Sequence, residues 1–277
     1  MKIKFNKLLI ATISIILCTS SIYAQRGAVK QYADPLMPAQ QPTPLYIGPA
    51  LGINYMGHSM DIPTFAFSNC PNFENANGLG IYAGITLEHL FGEVATSSSS
   101  LIFRILFNMF PGSVTVNDNS YPMRDAAGNV VNNLTENVMD IDYNAITFEV
   151  MYKINPIPGN GLGIVVGPSL DYIMTKNRTH EYNIVSPLEG RFDPSLLPDY
   201  AVLSNNNRTA TMYDGEIEDA SSIRFGLKAG VQYELLLGTK WYIVPSVAYN
   251  FGITSVTSKY TWRVSPLQAG VDIRFAW

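Results

Sequence analysis

The chain lacks any apolar run long enough to form a transmembrane helix. After residue 24, no stretch approaches the roughly 18 consecutive apolar residues that such a helix needs. Charge is also scarce, because 14% of the residues are charged against about a quarter in typical soluble domains. Yet 47% of the residues are hydrophobic. A chain that is rich in apolar residues but has no apolar runs must disperse them, as alternation along β-strands does.

Cysteine and histidine are equally scarce. Cys18 lies in the N-terminal apolar segment, which leaves Cys70 alone, and one thiol makes neither an internal disulfide nor a metal site. We therefore expect Cys70 to pack in a loop; the alternatives are an intermolecular bridge or a covalent modification. The three histidines, His58, His89 and His180, are too scattered to indicate a dedicated metal site. We expect no metal and no cofactor, and the net charge of −4 gives no hint of nucleic-acid binding.

The N-terminal segment 1–24 has the layout of a secretory signal peptide. Three lysines open it, residues 8–17 are apolar, and cleavage is predicted after Ala24. An alternative is acylation of Cys18, as in a lipoprotein, but Leu17 then occupies a position that needs a small residue. The following segment 25–44, rich in Pro, Gln and Ala, is expected to form a loose periplasmic arm.

Eight later segments alternate apolar and polar residues with the period of a β-strand. Each is long enough for the roughly 9–11 residues of a tilted membrane strand. All their Asp, Glu, Lys and Arg residues fall on one face, and the other face carries only His89. Lipid would impose this sorting, because a charge facing the bilayer midplane costs about 2–4 kcal/mol. A soluble sandwich with its apolar face inward is the alternative, which the number and length of the segments disfavour. The predicted strands are 45–56, 79–90, 99–110, 143–154, 161–175, 221–235, 241–252 and 264–277.

The connections between these segments alternate in length, as in barrels with short periplasmic turns and long extracellular loops. The short ones are 91–98, 155–160 and 236–240, and the long or intermediate ones are 57–78, 111–142, 176–220 and 253–263. This order predicts that both termini lie in the periplasm.

The last segment ends on an aromatic residue and alternates up to it. Leu267, Ile273, Phe275 and Trp277 share the apolar face. Such an ending resembles the last strand of bacterial outer-membrane β-barrels. With the signal peptide and the eight amphipathic segments, residues 45–277 resemble the small outer-membrane barrel family, which includes OmpX-like, OmpW-like and PorT-like proteins and the N-terminal barrel of OmpA.

This resemblance implies an all-β fold, an eight-stranded antiparallel transmembrane β-barrel with long extracellular loops. It implies the outer membrane of a Gram-negative bacterium as the location, with contacts to lipid and lipopolysaccharide. It also implies that Phe275 and Trp277 act as an assembly signal for the barrel-assembly machinery.

An eight-stranded barrel has an interior that side chains just fill. The polar face of the segments places five acids and five bases there. They form either a salt-bridged plug, which the matched numbers favour, or a narrow polar path for a solute. The ten residues are Glu88, Arg104, Glu149, Lys153, Asp171, Arg224, Lys228, Glu234, Asp272 and Arg274.

Three functional hypotheses follow. The first is a non-enzymatic structural or accessory protein, or a surface-binding protein, that acts through its extracellular loops, with an envelope complex as a candidate partner. The second is a narrow channel for small or hydrophobic solutes. The third, least favoured, is a surface protease or lipid-modifying enzyme that uses His58 or His180, which Asp61, Asp214, Glu216, Glu218 and Asp219 could approach; their spacing matches no catalytic set.

Local signals complete the prediction. Loop 111–142 should contain a hairpin that pairs 113–116 with 130–131. In loop 176–220, Asp193 before Pro194 should cap a short helix. Its apolar edge docks a partner or covers the barrel mouth, and consists of Leu196, Leu197, Tyr200 and Leu203. Prolines inside strands predict β-bulges at Pro49, Pro168 and Pro245. An outer aromatic girdle is expected at Tyr55, Phe107, Tyr143, Tyr172 and Tyr249.

Overall fold

The structure is a computed structural model that describes residues 44–64, 71–91, 97–118, 123–124, 130–131, 134–157, 160–238 and 240–277. The predicted signal peptide, the arm apart from its last residue, and Cys70 lie outside these ranges, so the predictions made for them stay predictions.

The described residues form β-strands and one short 3-10 helix, Pro194–Leu196. No helix in this part of the chain is long and apolar enough to cross a membrane. The strands are β1 Leu45–Pro63, β2 Asn72–Leu90, β3 Ser99–Met109, β4 Gly112–Asp118, β5 Met123–Arg124, β6 Val130–Val131, β7 Leu134–Ile154, β8 Leu162–Ser186, β9 Val202–Ser204, β10 Thr209–Glu216, β11 Ile223–Tyr233, β12 Leu235–Leu237, β13 Trp241–Gly252 and β14 Trp262–Ala276.

Eight of these strands close into a ring. Each pairs antiparallel with the next in the order β1, β2, β3, β7, β8, β11, β13 and β14, and β14 pairs back onto β1. The closing ladder runs from Tyr46 opposite Ala276 to Met60 opposite Trp262. All eight predicted strands are therefore confirmed, and the chain is an eight-stranded antiparallel transmembrane β-barrel.

An apolar belt surrounds the ring where the strands alternate between outward apolar and inward polar side chains. On β1 it runs from Ile47 to Tyr55, and its outward residues are exposed, for example 56% of Leu51. Ile81 on β2, opposite Ile53, and Ile105 on β3, opposite Ile85, are similarly exposed. Outward apolar side chains and inward charges are the arrangement that a hydrocarbon environment requires.

Above the belt, at the end of the barrel opposite Leu45 and Trp277, polar residues face outward and apolar residues face inward. On β1, the side chains of Met56, Met60 and Ile62 point inward and are buried, whereas Ser59 and Asp61 point outward and are exposed. The alternation continues in phase through Tyr55, so only the residue types change. The outward face is apolar within the belt and polar above it, and this change marks the level at which lipid gives way to water.

This change of polarity corrects the predicted loops. Segments 57–78, 111–142 and 176–220 are largely strand, because β1 and β2 are joined only by residues 64–71, β7 begins at Leu134 and β8 continues to Ser186. The sequence argument required apolar residues on the outward face, and these extensions carry them inward. The barrel therefore continues well beyond the lipid as an ordered sheet.

Three further strands pair edge to edge within this sheet. β4 pairs with β7, β10 pairs with β8, and β9 pairs with β10. The predicted hairpin is thus right in continuing above the membrane but wrong in its partner. Residues 113–116 pair with β7, and 130–131 pair with β5 instead.

The predicted bulges at the three prolines are wrong. The ladders through Pro49, Pro168 and Pro245 keep one register, and the register shifts lie elsewhere, at Ser59/Ile62, Thr211/Tyr213, Leu134/Thr135 and Asn144/Ala145. Two of the prolines follow a glycine against which the neighbouring strand packs closely. A Cβ on Gly48 would lie 1.6 Å from the Ile273 carbonyl oxygen, and one on Gly167 would lie 2.0 Å from that of Val150. The missing hydrogen bond is thus accommodated by close strand approach rather than by an extra residue.

Candidate functional site

The interior of the barrel within the belt holds all ten predicted charged residues. Each is at most 4% exposed, although the belt outside them is apolar. They come from six of the eight barrel strands and from Glu234, which follows β11. The side chains meet across the lumen in three connected groups.

The group nearest the chain termini is centred on Lys153. Its ammonium contacts both Glu88 and Glu234. Glu88 also accepts a hydrogen bond from Arg274 Nη1 at 2.5 Å, and Arg274 Nη2 lies 2.5 Å from Asp272. Three carboxylates and two cations therefore alternate, so no charge in this group lacks an opposite neighbour.

The middle group begins at the same Asp272. Arg104 Nη2 lies 2.7 Å from Asp272 Oδ2, and Arg104 Nη1 lies 4.0 Å from Glu149. Lys228 completes the group with an ion pair of 2.6 Å to Glu149. Because Asp272 contacts two arginines, it joins this group to the one below.

The upper group is the pair of Arg224 and Asp171, with an N–O distance of 2.6 Å. The Thr147 hydroxyl donates to Asp171 at 2.6 Å. Arg224 also donates to the Val264 carbonyl at 2.6 Å and lies over the ring of Phe110. This arginine therefore stands at the boundary between the polar interior and an apolar region above it.

Uncharged amides that the sequence argument missed fill the remaining space. Gln268 donates to Asn54 at 2.8 Å and to Asn108 at 3.0 Å, and Asn108 donates to Thr147 at 2.7 Å. All four are buried. They share the inward parity of the charged residues, which is the signal that would have found them.

Tyr82 fills the lumen beside the middle group, and two glycines make room for it. A Cβ on Gly270 would lie 2.0 Å from the Tyr82 hydroxyl, and one on Gly52 would lie 2.6 Å from its ring. Larger residues at either position would displace the tyrosine. The interior is therefore packed by side chains, as expected for a barrel of this size.

A cluster of buried apolar side chains, called the cap below, fills the barrel above the belt. Its largest member is Trp262, which is 0% exposed. Tyr143, predicted in the outer girdle, belongs to the cap instead, because it shares the inward parity of Glu149 on β7. The cap consists of Met56, Met60, Ile62, Phe73, Ala76, Phe110, Met139, Ile141, Tyr143, Ala145, Ile173, Ile217, Val256, Trp262 and Val264.

Two of the histidines, His58 and His180, are buried in contact with this cap. Trp262 Nε1 donates to His58 Nδ1 at 3.2 Å, and His58 Nε2 lies 3.3 Å from the Pro111 carbonyl. A tryptophan can only donate and a carbonyl can only accept, so His58 carries its proton on Nε2. His180 Nε2 lies 2.9 Å from Asn137 Oδ1, and its ring meets that of Phe73 edge-on. Burial lowers the pKa of each histidine to about 4.

The candidate enzyme residues do not assemble into a surface site. Both ring nitrogens of His58 are engaged in the cap, while Asp61 accepts from Asn72 and Asp214 accepts from Thr179. Glu218 pairs with Lys259, and Glu216 lies 3.9 Å from Lys176. Within the described ranges, no three His, Cys, Asp or Glu side chains are arranged to hold a metal ion.

The tip of the extracellular sheet is formed by the end of β8, by β9 and by the start of β10. Arg208 holds it together by donating to four carbonyls between Ile184 and Leu188. The predicted short helix is confirmed as the 3-10 turn at 194–196, with the Asp193 carboxylate accepting from the Ser195 amide at 2.9 Å.

The predicted apolar edge of this tip faces solvent in part. Tyr200 is 70% exposed, and Leu188 and Val202 are similarly exposed. Leu197 and Leu203 are half-buried, and the side chain of Leu196 lies outside the described residues. The barrel mouth is filled by the cap, so the exposed part of this edge is free for contacts outside the chain.

The outward face of the extracellular sheet is acidic beside this tip. Asp140 on β7 and Asp214 on β10 both lie opposite Thr179 of β8. One row closer to the lipid, Asp142 and Glu216 both lie opposite Asn177. All four carboxylates are exposed.

The proposed assembly signal lies at the opposite end. Phe275 packs against Trp241 with ring centroids 4.9 Å apart, and Trp277 is exposed. The Trp277 amide donates to the Leu45 carbonyl at 3.0 Å, which ties the chain end to β1. Its recognition by assembly machinery stays a prediction.

No protein-family model and no curated protein matches the chain. Among solved structures, it is similar to Neisserial surface protein A (13% identity, 86% of this chain and 100% of that chain, TM-score 0.38). It is similar to Ail, the attachment invasion locus protein of Yersinia pestis (9% identity, 83% and 98%, TM-score 0.33). It is also similar to the outer membrane protein OprG from Pseudomonas aeruginosa (9%, 85% and 96%, TM-score 0.30). Likeness at this level carries no argument by itself, so the closed ring, the apolar belt and the inward charges define the chain as a transmembrane β-barrel of the outer-membrane kind.

Proposed function

We propose that the protein is a sealed, non-enzymatic barrel of the Gram-negative outer membrane that binds a partner through its extracellular sheet, as an accessory or surface-binding protein. The observation that carries this proposal is the combination of a filled interior with a rigid sheet above the lipid whose tip exposes Leu188, Tyr200 and Val202. A barrel whose interior is filled acts at its surfaces.

Orientation follows from the same features. The short connections, 155–161 between β7 and β8 and 238–240 between β12 and β13, lie at the end that carries Leu45 and Trp277. Short turns face the periplasm in this class of barrel. The proposal therefore places residue 45 and Trp277 in the periplasm, the acidic sheet at the cell surface, and lipid and lipopolysaccharide around the belt.

The structure of the interior disfavours the channel hypothesis. A solute would have to cross the ion-paired groups and then the cap, in which Trp262 and Phe110 are buried. We expect planar bilayers containing the purified protein at neutral pH to show no resolvable conductance, whereas a general porin in the same bilayers conducts. Stable single-channel steps from the protein would restore the channel hypothesis.

Partner binding should depend on the tip. Buried aromatic contacts carry about 2 kcal/mol or more at interfaces, or roughly 30-fold in affinity. The variant Tyr200→Ser/Val202→Ser should therefore lose a near-stoichiometric partner that a photo-cross-linker at Leu188 captures in native outer membranes. Ser59→Ala, an exposed position on another wall of the same sheet, is the matched control. Equal capture by the double variant, or no partner at Leu188, would contradict the proposal.

A further inference from the structure

One histidine in contact with the cap is hydrogen-bonded through both of its ring nitrogens. His58 lies on β1 above the belt, and it connects Trp262 of β14 to the backbone of the β3–β4 connection at Pro111. The ring fits closely, because a Cβ on Gly112 would lie 2.9 Å from its Cδ2 and Nε2 atoms. Both ring nitrogens have partners, so the neutral ring is satisfied only in one tautomer.

We propose that His58 is a proton-operated latch, in which protonation of Nδ1 removes the acceptor that holds Trp262 and opens the cap at the extracellular end of the barrel. This inference goes beyond partner binding, since it concerns the seal itself. It gives the barrel two states, closed when His58 is neutral and open when the ring has taken a proton from solvent.

The geometry explains why the proton cannot be accommodated. An imidazolium has donors on both nitrogens and no acceptor, whereas the indole Nε1 can only donate. Protonation therefore brings two N–H groups face to face at a site that is buried among apolar side chains. An uncompensated buried charge is costly, and the cheapest relief is movement of the indole towards water.

The charges around His58 do not compensate an added proton. Arg224 of β11, whose charge lowers the pKa of His58, is positive and already paired with Asp171 of β8. The groups from β14 and from the β3–β4 connection are the Trp262 indole and neutral backbone. Within the described part of the chain, no ion pair joins His58 to a carboxylate.

The direction of the pH effect follows from these contacts. Burial is the main cause that lowers the pKa of His58 from 6.5 to about 4; the positive charge of Arg224 acts in the same direction, and the hydrogen bond to the Pro111 carbonyl opposes it. The open state, with a hydrated ring, keeps the ordinary pKa. The closed state is therefore most favoured above pH 6.5, and its ratio to the open state falls by about 160-fold when the pH reaches about 4.

Tryptophan fluorescence can report this opening. The chain has three tryptophans, and changing Trp241 and Trp277 to Phe leaves Trp262 as the single reporter in the full chain, inserted into phosphatidylcholine vesicles. Acrylamide quenching of Trp262 should be weak and constant above pH 6.5 and should rise severalfold, reversibly, as the pH approaches 4. Quenching that does not change over this range would overturn the proposal.

Variants separate His58 from other titrating groups. In His58→Gln, the amide can still accept from Trp262 and donate to Pro111 but cannot gain a proton, so the rise in quenching should disappear. His89→Gln at the opposite end of the barrel should behave as the parent does. His180→Gln tests the second buried histidine. A pH response that persists in His58→Gln would refute the latch, whether or not it is lost in His180→Gln.

A measurement on the unsubstituted chain keeps the proposal testable if His58→Gln does not fold. Hydrogen–deuterium exchange, corrected for the intrinsic effect of pH, should accelerate at residues 56–62 and 262–264 near pH 4 and remain unchanged at residues 101–105 within the belt. If exchange at residues 56–62 and 262–264 were the same at neutral pH and near pH 4, that result would count against opening of the cap.

Discussion

Replacing Lys153 with methionine is expected to lower the free energy of unfolding by about 3–5 kcal/mol, the usual cost of removing one partner from a buried ion pair. Lys153 is fully buried and contacts both Glu88 and Glu234. Glu88 keeps its ion pair with Arg274, whereas Glu234 loses its ion pair with Lys153. Urea titration of the vesicle-inserted protein, followed by its heat-modifiable mobility on gels, measures the loss.

Two companion variants test the reason for this loss. Lys240→Met removes a lysine of the same length from the exposed turn before β13 and should change stability little. Adding Glu234→Gln to Lys153→Met should recover part of the lost free energy of unfolding, because it neutralises the carboxylate that Lys153 pairs with in the parent. A Lys153→Met chain as stable as the parent would mean that the lower interior is hydrated enough to solvate a free carboxylate, and the sealed-barrel proposal would weaken.

The barrel itself could be predicted from the sequence because lipid constrains every strand in the same way. A charge on the outward face is costly, so Arg104, Glu149 and Asp171 declare the inward face of their strands without any structure. Strand number and the inward position of the charges follow from that one physical rule. The rule does not predict which charged side chains form ion pairs, because pairs such as Arg224 with Asp171 depend on the register between strands.

The extracellular sheet could not be predicted by the same rule because its environment is different. Met56, Met60 and Ile62 alternate as regularly as the belt residues do, but with the apolar side chains inward. A search for outward apolar faces therefore ends the strand at the level of Tyr55. The cap was missed for the same reason, and His58 was therefore considered only as a surface residue.

The predictions made from individual residues and their neighbours were partly right. Asp193 was found correctly as a cap, because capping depends only on residues two or three positions away. The bulges at Pro49, Pro168 and Pro245 were wrong, because a glycine or a close strand approach can absorb a missing hydrogen bond in ways that sequence does not reveal. Tyr143 was misplaced, although its parity with Glu149 already indicates the interior.

The exchange of polarity along β1 predicts opposite outcomes for the same substitution at two positions on one face. Ile53 and Ser59 both point outward and are separated by six residues, or about 20 Å along a strand. Ile53→Arg places a cation in the belt and should cost about 2–4 kcal/mol, whereas Ser59→Arg lies above the lipid and should stay within about 0.5 kcal/mol. Unfolding in vesicles by urea measures both, with Ile53→Ala as the control for lost side-chain volume.

This pair of variants also tests the membrane assignment independently of function. In a soluble barrel of the same shape, an outward arginine at either position would face water, and both changes would be nearly neutral. If the belt extended to the tip of the sheet, both would be costly. Only a lipid boundary between Ile53 and Ser59 makes the first change severe and the second mild, and that boundary is what turns the apolar strands below into a membrane anchor and the sheet above into a presented surface.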